Sequence, residues 1–401
     1  MPKSPSLPKP SLRASFLSVV LLATSAACEK RAEIANRTTA ASRAEPSVVA
    51  PPPAAAPSVA TDPTGRQRRP TVLLAGGDID FGRMRGDRLV GAPERDDFRP
   101  FASLFAGADV RFANLESTIS DRFTESRGHP QPLVFTAPPI AADALARGRI
   151  DVVSLANNHA WDFGESALLQ TLANLESVGV AHTGAGPTLA AARAPAIVEV
   201  AGFRLAFIAV TSAWNQRLDP HPGRGHIADA DETALAKSIR DARALGADRV
   251  IVSHHDGDEY VDQPTESERR LARSAIESGA DVVLGHHPHV IQRIVRRGGQ
   301  PVVYGLGNFL MRMVTGKPWT EWGMLARIVF DTSGTSVAVC PFRTVGLDPL
   351  PLAQDPSRLT QEKVFRAAFE RLLANTATAD GESALALGEF DAAGCAPLAN
   401  R

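Results

Sequence analysis

The sequence predicts an α/β fold, and three observations carry that prediction. Short apolar, β-branched runs recur along the chain, amphipathic helical patterns lie between several of them, and polar residues gather directly after the runs. Strands alternating with helices call for a sheet covered by helices on the outside. Polar residues at strand ends belong where α/β sheets open their ligand crevice, beyond the carboxyl ends of the strands.

At the start of the chain, Lys3, Lys9 and Arg13 are basic, the run Ala14 to Ala23 is apolar, and Ser25, Ala26 and Ala27 are small. Residues 1–27 therefore read as a secretory signal, because the run is shorter than the roughly 20 residues a bilayer needs. Cys28 stands where a bacterial lipobox has its acylated cysteine, although Ser25 replaces the usual Leu. Lipid anchoring through Cys28 and simple cleavage after Ala27 are the two readings. Residues 28–70 are rich in Ala, Pro, Ser and Thr, with Pro51, Pro52 and Pro53 in a row, and are expected to be a flexible tether.

The folded domain is expected over 71–348. Strands are predicted at Thr71 to Ala75, Ile150 to Leu155, Leu205 to Val210, Val250 to Val252, Val282 to Leu284 and Val302 to Val303. Helices are predicted at Glu165 to Val178, Glu232 to Leu245 and Glu266 to Ser278. Past Gly323 come further strands at Leu325 to Phe330 and Val337 to Cys340, then a helical tail over 349–401 centred on Gln361 to Ala374. Cys340 and Cys395 suit either a disulfide or two buried thiols.

Composition narrows the function. With 43 Lys and Arg against 44 Asp and Glu there is no electrostatic case for nucleic acid. Only two Tyr argue against a surface that stacks bases or sugars, and three Cys are too few for a thiolate zinc site. A hydrophobic content of 44% leaves ample material for an enzyme-sized core.

The strand ends carry the functional signal. The first strand runs into Gly77-Asp78-Ile79-Asp80, a later one into Asn114-Leu115-Glu116, and the Ile150 strand into Asn157-Asn158-His159 with Asp162 behind. The Val250 strand runs into His254-His255 with Asp256, Asp258 and Glu259, the Val282 strand into His286-His287-Pro288-His289, and the Val302 strand into Gly307-Asn308. Five of the ten histidines thus sit in two short clusters, and His159 and His182 also come after strands. Imidazole and carboxylate without thiolate suit Mn, Fe or Zn in a reactive centre.

On these residues the chain resembles the CapA family of metallophosphoesterase-like proteins, named for poly-γ-glutamate capsule synthesis. The marks are GDIDFGR from Gly77, NLES from Asn114, ANNHAWDFG from Ala156, HTGAG from His182, HHDGDEY from His254, GHHPHVIQ from Gly285 and YGLGNF from Tyr304, spanning Thr71 to Val345. The resemblance implies an α/β/β/α sandwich and a centre of two divalent ions. It implies Asp78, Glu116, Asn158, His255, His287 and His289 as metal ligands and His159 as the catalytic imidazole. Around such a centre Asp80, Arg83, Asp162, His254, Glu259, His286 and Asn308 are the candidate substrate-binding or supporting residues, with Arg83 equally readable as a solvated surface arginine. Four positions depart from the pattern. Asp80 stands where phosphoesterases carry His, Glu116 replaces Asp, Ala160 replaces an acid, and Asp256 replaces the Trp of many relatives. A carboxylate-richer centre favours a hard ion such as Mn.

The expectation is an exported hydrolase acting on a phosphoester or an anionic polymer of the poly-γ-glutamate type, held at the membrane and working with other capsule-synthesis proteins. The rival is an accessory lipoprotein that binds such a polymer without cleaving it.

Overall fold

Each predicted apolar run becomes a strand because it buries side chains on both of its faces, which is why it reads as continuous and not alternating. The computed structural model describes residues 60–61, 67–126, 129–130, 133–215, 221–313, 316–317, 319–332, 334–374 and 381–401. The signal region and Cys28 lie outside the described residues. Within the expected tether, Ala60–Thr61 pairs antiparallel with Gln67–Arg68.

The first part of the chain lays down β1 (Thr71–Ile79), α1 (Arg83–Gly91), β2 (Val110–Leu115), α2 (Ile140–Arg147), β3 (Val152–Ser154), α3 (Gly164–Ser177) and β4 (Ala181–Thr183). The four strands pair in parallel in that order. A second sheet is built from β5 (Ala196–Val200), β6 (Phe203–Thr211), α4 (Glu232–Ala244), β7 (Arg249–His255), α5 (Glu266–Glu277), β8 (Val282–His286), β9 (Ile294–Arg297) and β10 (Gln300–Val303). Here β6, β7, β8 and β10 run parallel, while β5 and β9 pair antiparallel with β6 and β10. The chain then returns to the first sheet. β11 (Asn308–Leu310) pairs with β1, β12 (Trp322–Phe330) pairs antiparallel with β1, and β13 (Thr335–Val345) pairs with β12. α6 (Arg358–Ala374) and β14 (Ala396–Asn400) complete it.

The side chains sort by strand parity into three apolar layers. Leu73, Ala75, Val110 and Phe112 of the first sheet meet Phe203, Leu205, Phe207, Ile251, Val282 and Leu284 of the second. Phe112 and Phe207 stack across that interface at 5.5 Å. On the outer face of the first sheet Leu74, Ala113 and Val153 pack under Leu89, Leu145 and Leu172 of the helices. On the outer face of the second, Ile208, Val250 and Val252 pack under Leu235, Ile239 and Leu271. The order of layers is α/β/β/α, as the resemblance implied.

Local signals place the helices. Asp231 caps α4 by accepting from Ala234 N–H, and Thr265 with Glu268 forms a capping box on α5. Two glycines let backbones touch beside the site: a Cβ on Gly77 would lie 1.7 Å from Gly307 O, and one on Gly285 would lie 1.8 Å from Tyr304 O.

The tail differs from the purely helical expectation. Among its described residues α6 is the only α-helix; β14 pairs with β13, and Glu382–Ser383 pairs with β9, so 349–401 adds strands to both sheets. Those strands are short and their partners are distant in sequence, so no local periodicity announces them. Cys340 of β13 and Cys395 form a buried disulfide that ties the tail to the first sheet.

Candidate metal centre

The carboxyl ends of β1, β2, β3, β7 and β8 converge, and their polar residues meet beneath one cleft. Asp78 arrives through a register shift at Gly76-Gly77, which turns it toward the second sheet. Asn114 Nδ2 donates to Asp78 Oδ1 at 2.9 Å and lies 3.3 Å from His255 Nδ1. Asn157 Nδ2 in turn donates to Asn114 Oδ1 and to Leu115 O. Asn158 Oδ1 lies 2.9 Å from His255 Nε2.

Glu116 is the hub. It is fully buried, and three imidazoles surround Oε1: His255 Nε2 at 3.7 Å, and His159 Nε2 and His289 Nε2 at 3.9 Å each. Neither Glu116 oxygen accepts a hydrogen bond from the described residues. Glu116, His255 and His287 present donor atoms within 4.8 Å of one another, as do Asp78, Glu116 and His289. Glu116 is therefore common to two donor sets. A buried carboxylate without hydrogen-bond donors, flanked by nitrogen lone pairs, is what a divalent cation satisfies. The residues present fit such an ion.

The electrostatics agree. Burial, then the Asp78 and Asp80 charges, push the Glu116 carboxyl well above its usual range. Burial would raise Asp78 too, but the His286 and His289 rings, with Nδ1 at 3.3 and 3.5 Å from its oxygens, outweigh it and hold Asp78 well below its usual value. Burial and the neighbouring imidazoles lower His255, and His287 is lowered to about 4, so these rings stay neutral with lone pairs to offer.

The remaining predicted residues take distinct places. His159 Nδ1 lies 2.6 Å from Asp162 Oδ2, which also accepts from Phe135 N–H at 2.7 Å. This bond orients the ring and leaves Nε2 on the Glu116 side. Asn308 Oδ1 accepts from His289 Nδ1 at 3.0 Å, leaving Nε2 toward Glu116, while its amide donates to His289 O and Thr320 O. His286 Nδ1 backs Asp78 at 3.3 Å. His254 turns the other way, to Ser212 Oγ at 3.2 Å and Asp256 Oδ2 at 3.6 Å, away from Glu116. Strand parity decides this: His255 shares a face with inter-sheet Ile251, and His254 with helix-facing Val250 and Val252.

Above the centre lies a cleft of about 290 Å³ whose walls include Asp80, Arg83, Phe135, His159, Glu259 and His289. Asp80 Oδ1 accepts from Gly82 N–H at 2.6 Å, and burial raises its carboxyl. Arg83 is exposed, in a left-handed conformation (φ 51°), and lies over the Phe135 ring at 4.7 Å. Asn215 escaped the sequence reading. Its Oδ1 accepts from Asn158 Nδ2 at 3.1 Å, and its Nδ2 lies 3.2 Å from His159 Nδ1 and 3.5 Å from Asp162 Oδ1. It stands five residues beyond the strand Leu205 to Val210, so the strand-end rule applied to that run would have found it.

The profile of "Bacterial capsule synthesis protein PGA_cap" matches residues 72–313. The chain is 30% identical over 219 residues to the PGA biosynthesis protein CapA of Bacillus subtilis, covering 54% of this chain and 56% of that one. It is 27% identical over 227 residues to the capsule biosynthesis protein CapA of Bacillus anthracis, covering 56% and 54%. The match thus spans about half the length of each relative. A solved calcineurin-like phosphoesterase, YfkN of Bacillus subtilis, superposes with a TM-score of 0.40 at 14% identity, covering 70% of this chain and 87% of that one. With a family profile matched across more than half its length and the family's histidine and carboxylate segments gathered at one crevice, the chain belongs to the bacterial capsule synthesis protein PGA_cap family.

Proposed function

We propose that this chain is an exported, metal-dependent hydrolase acting on a phosphoester or a poly-γ-glutamate-type polymer in capsule or cell-envelope biosynthesis. The observation that carries the reading is Glu116, buried, without hydrogen-bond donors among the described residues and common to two donor sets. Asp78, Glu116 and His289 would hold one divalent ion, and Glu116, Asn158, His255 and His287 a second, with Mn, Fe or Zn as candidates. When bound, such ions supply Lewis acidity toward a substrate oxygen and an acidified water. His159 is the catalytic residue in this reading: Asp162 fixes its Nδ1, and Nε2 passes a proton to the leaving group, the ester oxygen of a phosphoester or the amide nitrogen of a γ-glutamyl polymer. Arg83, on the cleft wall, meets the substrate's negative charge.

Metal analysis of the purified protein and assay on generic phosphodiester and γ-glutamyl substrates test this. Stoichiometric metal is expected, and His159→Ala should lower kcat on the order of 10²- to 10⁴-fold with the ions retained. Protein that binds no divalent ion overturns the reading. Asp80 and Ala160, where phosphoesterases carry His and an acid, favour the accessory role as second reading. Polymer bound without turnover would establish that role instead. Membrane anchoring through Cys28 is part of the proposal, and palmitate label lost in Cys28→Ser is its test.

A further inference from the structure

The two donor sets are unequal. The set around His255 has Glu116, His287 and the Asn158 carbonyl as well, four donors, whereas the set around Asp78 has three, Asp78, Glu116 and His289. The missing donor is the residue two positions after Asp78, where Asp80 turns to the Gly82 amide and lines the cleft.

A third donor set lies on the cleft side of the same centre. Glu259 presents a carboxylate oxygen within 4.8 Å of donor nitrogens of both His287 and His289. Its position is built and not incidental. Tyr260 N–H donates to Pro288 O at 2.7 Å, which fastens the Glu259 loop to the His287-Pro288-His289 turn. Tyr260 (φ 68°), His287 (φ 97°) and His289 (φ 56°) all hold left-handed backbone that side chains other than glycine seldom adopt. Such strain persists only where surrounding contacts enforce it.

We infer that Glu259 is a metal ligand of this chain, supplying from the cleft wall the donor that the position of Asp80 does not provide, on the ion held by His289. The inference rests on the metal-centre reading above. A carboxylate replacing an imidazole keeps the coordination number, hardens the site and leaves this ion facing the cleft through an exposed, movable ligand.

Mn(II) titration followed by calorimetry and electron paramagnetic resonance on the full-length protein tests this without recourse to activity. Wild type is expected to take up two ions. Glu259→Gln should retain one at wild-type affinity and weaken the other on the order of 10- to 100-fold, with Glu259→Asp recovering part of the loss. Two ions at wild-type affinity in Glu259→Gln would overturn the assignment while leaving the metal-centre reading standing. Equal weakening of both ions would also overturn it, since the assignment places Glu259 on the ion of His289 alone. A wild type that binds no ion would sink both. Because Glu259 is exposed, Glu259→Gln should melt with wild-type protein, and Glu259→Asp carries the test if it does not.

Discussion

Two buried glutamates, Glu116 and Glu382, differ in how the chain satisfies their carboxylates. Glu382 accepts from Tyr304 Oη at 2.5 Å and from Arg293 Nη2 at 3.2 Å, with Arg297 Nη2 at 3.5 Å. Glu116 has no hydrogen-bond donor among the described residues and has ring nitrogens of His255, His159 and His289 around Oε1. Both are buried to a similar degree, so burial alone identifies neither. The difference lies in the partners. Arginine and tyrosine donors satisfy a carboxylate within the chain, whereas imidazole lone pairs leave the negative charge to be met by a cation from outside.

The largest expected effect breaks the comparison at its functional end. Glu116→Gln should abolish uptake of both ions and all turnover, because it removes the donor the two sets share. The same variant sharpens the electrostatics. In metal-free protein His254 and His287, both lowered to about 4, contribute stability that is present above pH 6.5 and lost as pH falls toward 4. Glu116, raised above 4.5, contributes in the opposite sense: its stability is present below 4.5 and lost as pH rises. Chelator-treated Glu116→Gln should therefore gain stability with pH more steeply than wild type between 4.5 and 6.5. Urea midpoints across that range check this, and parallel curves would contradict it.

At the structural end, Glu382→Ala leaves Arg293 and Arg297 buried without their carboxylate, at a cost of about 3–5 kcal/mol. The folded fraction should keep its metal content. Arg293 also donates to Gln263, and Gln292 to Val261 O, so a weakened ion would show that this cluster supports the Glu259 loop. Denaturant unfolding beside metal analysis separates the outcomes.

How much of this was legible depended on whether a signal was local. The apolar runs and the polar strand ends are short-range, and they yielded the strands, the helices and a polar rim of His, Asp, Glu and Asn, while the layer order came from the family resemblance. Parity was legible too: counting from Ile251 puts His255 on the inter-sheet face and His254 behind it. What could not be read was non-local. Glu382–Ser383 and β14 gain their form only from partners on the other side of the fold. The disulfide remained one of two readings because spacing alone does not bring Cys340 to Cys395. Glu259 was legible as a supporting residue but not as a donor, because its reach to His287 and His289 depends on Tyr260 meeting Pro288.

Asn215 gives the smallest effect and the finest test of the contrast. It touches the His255 set through Asn158 Nδ2, from which it accepts, and lies beside His159 Nδ1 and Asp162 Oδ1, yet it belongs to neither donor set. If it only filled space, Asn215→Ala would change stability and nothing else. As a positioning residue it aims the Asn158 carbonyl at His255 and steadies the His159 ring. The variant should then lower kcat on the order of tenfold with KM unchanged, and weaken the ion of the His255 set by a similar factor. The ion bound by Asp78 should be untouched, since the Asn215 side chain contacts Asn158, His159 and Asp162 and no member of that set. A uniform loss at both ions would mean that Asn215 supports the crevice as a whole, and the division into two unequal sites sharing Glu116 would lose its sharpest evidence.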